Sequence, residues 1–235
     1  MRLLVDAGFS FREITKRLRA IGEDPANLDA VLISHEHSDH VKGLRQLSKK
    51  LKCPVYMTRL TEEALGWDDI PLRVEPFDAG HGLVVGDLEI DTFTIPHDAT
   101  DPVAFCVRHN GSKAGLVTDL GYMPDSVKHH IRGCDFLLLE SNHDLEMLKV
   151  GPYPWFVKQR VMSRVGHLSN HAVSDFLAGD FDRCSRWLVL GHLSENNNHP
   201  EVARMFADMA LQQIGSCQTR LVVAEQHRPS EVFEL

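Results

Sequence analysis

Nothing in this sequence approaches the ~20 consecutive apolar residues that a membrane-spanning helix needs. The opening stretch MRLLVDAGFSFREITKRL carries neither a long apolar run nor a small-residue cleavage site, so no secretory signal is expected. Cysteine is sparse and poorly placed for pairing. Cys53, Cys106, Cys134, Cys184 and Cys217 are scattered, odd in number and never form a CxxC pair. That pattern argues against a disulfide framework, fits a cytoplasmic location, and gives each cysteine the reading of a small buried apolar residue. Basic charge is also short: 25 Lys and Arg against 33 Asp and Glu leave a formal net charge of -8. A uniformly nucleic-acid-binding surface is therefore not expected, although a local basic patch or bound divalent cations would change the local field. There is no tandem repeat and no low-complexity tract. With 43% hydrophobic and 25% charged residues, the chain of 235 residues suits one large domain, or two halves sharing one core, and residues 1–235 are expected to form a single domain.

Hairpins and buried strands dominate the pattern, with helices between and after them. RLLVDAG reads as a strand turning at Gly8. SFREITKRLRAIG reads as a helix with Phe11, Ile14, Leu18 and Ile21 on one face, closed by Gly22. LDAVLIS is a buried strand, and VKGLRQLSKKL a helix turning Val41, Leu44, Leu47 and Leu51 inward. Hairpins are expected at Gly86-Asp87 and at Asn110-Gly111. PVYMT, DFLLLES, RWLVLG and TRLVVAEQ read as strands, and SNHAVSDFLAGDF and HPEVARMFADMALQQIG as helices. The expected architecture is α/β, an αββα sandwich of two mixed sheets with helices outside. Polar residues recur just past strand ends, at His35, Asp119, His143 and His192, where a rigid frame can aim them into a common cleft.

What the chain has in excess is histidine, 14 in all. Three of them sit in the single stretch ISHEHSDH, directly after a buried strand. Extended residues at i and i+2 point the same way, so His35 and His37 can share one ion. Asp39 and His40 lie where the chain turns into a helix and aim elsewhere. That spacing suits two adjacent metals. Zinc takes imidazole and carboxylate ligands and keeps one position for water in catalytic sites. His97, Asp119 and His192, each at a strand end, are the candidates to complete the set.

The run H-x-H-x-D-H after an apolar strand, followed in order by His97, Asp119 and His192 and preceded by LLVDAG, resembles the metallo-β-lactamase fold. The resemblance spans nearly the whole chain. It implies that His35, His37 and His97 hold one metal, that Asp39, His40 and His192 hold the other, that Asp119 bridges them, and that Asp6 orients a ligand histidine. GHLSN, with His167 ahead of a helix start, resembles the corresponding segment of tRNase Z-type phosphodiesterases. That resemblance implies contact with the scissile phosphate and help to the leaving oxygen. The closer resemblance is to the YycJ/WalJ group of bacterial nucleases, through HEHSDH, HDATDPVAF, VTDLGY, LLLESNHD, GPYPWFVKQR and LGHLSENNN. Members of that group usually begin with a further hairpin carrying SSGN, and this sequence lacks it.

The resemblance implies a dinuclear hydrolase of phosphodiesters, a DNA exonuclease working from 5′ to 3′ with a metal-bridging hydroxide. Asp39 would orient or deprotonate the nucleophile, and His167 would donate to a phosphate or leaving oxygen. Two divalent ions are implied, zinc or manganese. Asn196, Asn197 and Asn198 read either as donors to phosphate or as a polar turn. Asn170 or Ser169 reads as a helix cap, with Asn170 a candidate substrate contact as well. His143 reads either as lining the cleft or as a structural hydrogen-bonding group. Lys149, Lys158, Arg160 and Arg164, interleaved with Tyr153, Trp155 and Phe156, read either as a track for phosphates and bases or as a solvated helix face. The alternative function is a small-molecule hydrolase on the same metals, acting on a cyclic phosphodiester, lactone or thioester. A regulatory protein with a vestigial metal site is the remaining one.

Overall fold

A computed structural model describes residues 1–67, 72–215 and 218–235. The chain folds as two compact units. The first comprises residues 1–94 and 99–105, the second residues 95–98 and 106–235.

In the first unit, β1 (Leu3–Val5) leads to α1 (Phe11–Ala20), whose first turn is capped by Ser10 Oγ accepting from Glu13 N. Then come β2 (Ala30–Leu32), α2 (Ser38–Val41), α3 (Leu44–Leu51), β3 (Val55–Thr58), α4 (Arg59–Leu65), β4 (Val74–Phe77), the β5 (Gly82–Val85) and β6 (Leu88–Thr94) hairpin, and the start of β7 (Val103–His109). Strands β1-β2-β3-β4 form a sheet that is parallel throughout, where a mixed one was expected. Helices separate its successive strands, and such crossovers return the chain parallel. Val31, Ile33, Leu44, Leu47, Val55 and Met57 make its core, with Phe11 and Leu18 packed against them. Ile14 is buried, but Ile21 falls past the end of α1 and is exposed.

The single helix expected over VKGLRQLSKKL is two. The Gly43 N–H turns out of the helical path to the Ala7 carbonyl at 2.8 Å, which breaks the run after Val41. Val41, Leu44 and Leu47 are nevertheless buried. The expected hairpin at Gly86-Asp87 is present, with Val85 opposite Leu88.

The second unit carries the end of β7, then β8 (Ser112–Val117), α5 (Asp125–Ile131), β9 (Phe136–Glu140), α6 (Leu145–Val150), α7 (Trp155–Val161), α8 (Asn170–Gly179), β10 (Trp187–Gly191), α9 (Pro200–Gln213) and β11 (Arg220–Val223). Asn110 and Gly111 both take left-handed backbone angles, as a two-residue hairpin turn requires. Strands β8, β9, β10 and β11 are mutually parallel. The larger sheet is therefore mixed, and the fold is α/β with two sheets flanked by helices. Leu137, Leu139, Leu188 and Leu190 from the central strands are buried, as are Val173, Phe176, Leu177, Ala203 and Ala207 from α8 and α9. Cys53, Cys106 and Cys134 are buried as expected; Cys184 is exposed, because it lies in the loop before β10, and Cys217 lies outside the described residues. No helix among the described residues is long and apolar enough to cross a membrane.

Candidate active site

Strand β1 ends in Asp6, whose backbone is left-handed at φ 57°. The turn delivers its carboxylate to the loop after β2: Asp6 Oδ1 accepts from Ser34 N at 2.8 Å, and Oδ2 from Ser34 Oγ at 2.9 Å and from His40 Nδ1 at 2.7 Å. A carboxylate can only accept, so His40 carries its proton on Nδ1 and presents a lone pair at Nε2. Ser34 Oγ, having given its proton to Asp6, accepts from His35 Nδ1 at 3.0 Å, which fixes His35 in the same tautomer. The His35 ring lies 4.7 Å from that of His37 and 4.1 Å from that of His40, centroid to centroid. His35 and His40 are buried; Asp39 is exposed, with one carboxylate oxygen 3.8 Å from His40 Nε2.

The LLVDAG motif has a mechanical role in this loop. Ala7 N donates to the His40 carbonyl at 2.7 Å. A Cβ on Gly8 would overlap the Asp39 carbonyl oxygen, so only glycine permits that approach. Glu36, between the two ligand-type histidines, accepts from Thr100 N and Thr100 Oγ1 at 2.8 and 2.7 Å.

In the second unit the organising residue is Glu140, the last of β9, which sequence reading passed over. It is wholly buried. Its Oε2 accepts from Leu120 N at 2.8 Å and Leu168 N at 3.0 Å; its Oε1 accepts from His167 Nδ1 at 2.7 Å and His192 Nδ1 at 2.8 Å. The one sign of it in the sequence is an acid closing the apolar run FLLLE. Asp119 and His192 follow β8 and β10 and both take left-handed backbone angles, φ 61° and 55°. Asp119 Oδ1 stands 3.7 Å from His97 Nε2, 3.5 Å from His192 Nε2 and 3.7 Å from His167 Nδ1. His97 Nδ1 donates to the Gly166 carbonyl at 3.1 Å, leaving its lone pair at Nε2. Ligand-capable atoms of Asp119, Glu140, His167 and His192 all lie within 4.8 Å of one another.

Residues 1–178 match the Beta-lactamase superfamily domain. The chain belongs to this family. It is 36% identical over 217 residues to Exodeoxyribonuclease YycJ of Bacillus anthracis, covering 91% of this chain and 82% of that protein. It is likewise 36% identical over 209 residues to Exodeoxyribonuclease WalJ of Streptococcus pneumoniae serotype 2, covering 87% and 78%. The metallo-β-lactamase fold protein YhfI of Bacillus subtilis superposes with a TM-score of 0.69 at 20% identity, covering 95% of this chain and 84% of that one. As a metallo-β-lactamase superfamily member the chain is a metal-dependent hydrolase.

The donor chemistry in each unit fits a divalent cation. The separations of Asp119 Oδ1 from His97 Nε2 and His192 Nε2, 3.7 and 3.5 Å, are too long for hydrogen bonds. They approach the ~3.4 Å edge of a tetrahedron whose arms are the ~2.0–2.1 Å of zinc bonds to nitrogen and oxygen. His35, His40, His97 and His192 are each held at Nδ1 by an oxygen acceptor, which aims Nε2 as a metal ligand requires. Burial lowers the pKa of His97 against the pull of Asp119, keeping the imidazole neutral. Burial opposes ionisation of Glu140 too, but the two imidazoles beside it win and hold its carboxyl at about 2. For His167 burial disfavours the cation, yet the Glu140 carboxylate overcomes it and the pKa is raised.

The remaining sequence candidates divide. His143 is buried, with its Nδ1 lacking a hydrogen-bond partner among the described residues, and burial pushes its pKa down to about 4. Asn170, first residue of α8 behind the Ser169 cap, is wholly buried and turned inward. Its Oδ1 accepts from Ser141 Oγ and Asn198 Nδ2 at 2.7 and 3.0 Å, and its Nδ2 donates to Asn198 Oδ1 at 2.9 Å. A substrate contact through that amide would have to break these bonds. Asn196 is exposed, whereas Asn197 is buried beside Gly151, with Nδ2 3.3 Å from Ser194 Oγ. Asn198, the last amide of the same run, is buried and ties three elements together instead of facing a phosphate: its Nδ2 also donates to the Ser141 and Asn142 carbonyls, and its Oδ1 accepts from His199 N.

Proposed function

We propose that this chain is a DNA exonuclease, a dinuclear phosphodiesterase that digests from the 5′ end, and that residues 1–235 work as one cytoplasmic catalytic domain. The observation that carries the reading is the 36% identity, over nine-tenths of the chain, to a relative named as an exodeoxyribonuclease. The donor sets of the two units support it. In this reading His35, His37 and His97 hold one cation, Asp39, His40 and His192 the other, and Asp119 serves both; zinc and manganese are the candidate metals.

Bound divalent ions would acidify a water toward neutral pKa and offset charge on the phosphate. The chain's own residues do the rest. Asp6 and Glu140 keep the Nδ1 protons of His40 and His192 in place, so their Nε2 lone pairs stay aimed. The exposed Asp39 carboxylate accepts the proton of the attacking water. His167, its cation favoured by Glu140, gives the Nε2 proton to the leaving oxygen. His143 and Asn196 are the proposed substrate contacts, with Asn197 behind them; Asn170 supports them by holding Ser141 and Asn198.

Timed digestion of end-labelled DNA, with and without chelator, tests the proposal. Progressive release from the 5′ end, abolished by chelator and restored by zinc or manganese, is the expected result. The net charge of -8 favours a second reading, a small-molecule hydrolase on the same residues. Cleavage of a lactone or thioester with DNA left intact would establish that one instead.

A further inference from the structure

The second unit exposes large rings on its surface where few are found elsewhere. Trp155 and Phe156 open α7 at 62% and 72% exposure. A solvated basic helix face would not carry them, and the cations near them are largely engaged. Lys158 is buried, with Nζ donating to the Lys149 carbonyl at 2.7 Å; Lys149 pairs with Glu146 at 2.7 Å; Arg160 pairs with Asp98, the neighbour of His97. The guanidinium carbon of Arg164 sits over the Tyr122 ring, 4.3 Å from its centroid. Tyr122 is itself partly exposed and follows Asp119 by three positions. The segment is thus an aromatic surface with guanidinium stacking, rather than a free positive strip.

Its placement says what would use it. The last residue of α7 accepts from His167 N (Val161 O, 3.0 Å), and the adjacent Gly166 carbonyl holds His97 Nδ1. The 121–122 turn is tied to the same region through Gly121 N donating to the Pro96 carbonyl at 2.9 Å. Between Trp155 and Val161 the helix rises only about 9 Å. The rings therefore stand one short helix away from His167, which the proposed function assigns to the leaving oxygen, on an element hydrogen-bonded to it. Flat, exposed π faces with a stacked guanidinium match unpaired nucleobases, every one of which offers a π face. Near-neutral local charge argues against a pull on phosphates alone.

We propose that Trp155 and Phe156 form a stacking platform for the bases of a single-stranded segment of the substrate, with the Arg164–Tyr122 stack as the step nearer the scissile phosphate. This deepens the nuclease reading and rests on it. The platform holds bases and not backbone, so its contribution is tolerant of sequence and weakly sensitive to salt.

The test compares the parent with a W155L/F156L double variant, which keeps apolar area but removes the π faces, and with W155F as the conservative control. KM and kcat are measured on single-stranded DNA and on the same strand with its terminal nucleotides made abasic. The expected result is a KM raised about tenfold or more in the leucine variant, from ~1–3 kcal/mol per stacked base, with kcat little changed. W155F should stay near the parent, and abasic ends should raise the parent's KM but not the variant's. Quenching of the protein's tryptophan fluorescence by oligo-dT in the presence of chelator gives a readout independent of cleavage; Trp67 and Trp187 remain in the leucine variant, which should lose the share of quenching that belongs to Trp155. An unchanged KM and unchanged quenching in the leucine variant would overturn the platform. So would concentration-dependent self-association of the parent that the variant abolishes, since the rings would then cover a second copy. DNA left intact by every form, while oligo-dT still quenches Trp155, would sink the nuclease reading and leave the stacking surface standing.

Discussion

Replacing Glu140 by glutamine separates two jobs that one carboxylate does. Four donors converge on it: two backbone N–H groups on Oε2 and two imidazole Nδ1–H groups on Oε1. An amide has one accepting oxygen and one donating nitrogen. The backbone donors of Leu120 and Leu168 have no alternative protonation state, so they take the oxygen. The amide nitrogen then faces the two imidazoles and forces each to offer a lone pair at Nδ1, moving its proton to Nε2. For His192 that is the atom aimed at the metal. The Glu140→Gln variant is expected to keep its metal-free melting temperature close to the parent's while losing ~10–100-fold in metal affinity.

Alanine at the same position should behave differently. It strands two buried backbone donors at ~1–3 kcal/mol each, about 2–6 kcal/mol together, or a fall of roughly 5–20 °C in melting temperature for a chain of this size. The assay is metal content by mass spectrometry after equilibration against graded free zinc, alongside thermal melts of the metal-free forms. Parent-like metal affinity in Glu140→Gln would refute the tautomer reasoning, because Glu140 Oε1 is the acceptor that holds the Nδ1 protons of His167 and His192 in place.

Asp6→Asn should act on His40 by the same logic, lowering metal affinity about tenfold or more in the same equilibration assay. Gly8→Ala places a methyl on the Asp39 carbonyl and should cost at least ~1–3 kcal/mol, read as a lower melting temperature with weakened metal binding. Stripping the protein with chelator should lower its melting temperature by about 5–10 °C, the effect of a ligand held at ~100 times its Kd, and added zinc or manganese should restore it. Asn198→Ala loses bonds to Ser141, Asn142 and Asn170 and should cost ~2–4 kcal/mol, measured by denaturant unfolding.

What was legible in the sequence was whatever local spacing encodes. ISHEHSDH announces itself because the donors lie within one loop, and His97, Asp119 and His192 because each interrupts an apolar strand with a polar group. Glu140 was illegible for the opposite reason: its partners come from positions 120, 167, 168 and 192, and alone it reads as the polar end of a strand. Strand β4 was missed because Pro76 interrupts it; the strand sits at a sheet edge, where proline is tolerated. The break between α2 and α3 leaves the apolar period of Val41, Leu44 and Leu47 intact, so periodicity could not show it. Asn170 was read by residue type, and burial alone reveals that its amide is spent on neighbours.

Both units place polar side chains by one device. Asp6, Asp119 and His192 each follow a strand and each adopt left-handed backbone angles, a conformation costing ~1–3 kcal/mol for such residues. Each is held there by bonds from its surroundings. Asp6 N donates to Leu32 O at 2.8 Å, Leu120 N beside Asp119 is fixed on Glu140, and the His192 carbonyl accepts from Asn142 Nδ2 at 3.0 Å. The strands supply rigidity, the left-handed step turns the side chain off the strand direction, and a buried acid or carbonyl then sets the tautomer. Asp6 and Glu140 are therefore as much a part of the donor geometry as the histidines they hold, because an imidazole with the wrong proton is in position but is no ligand.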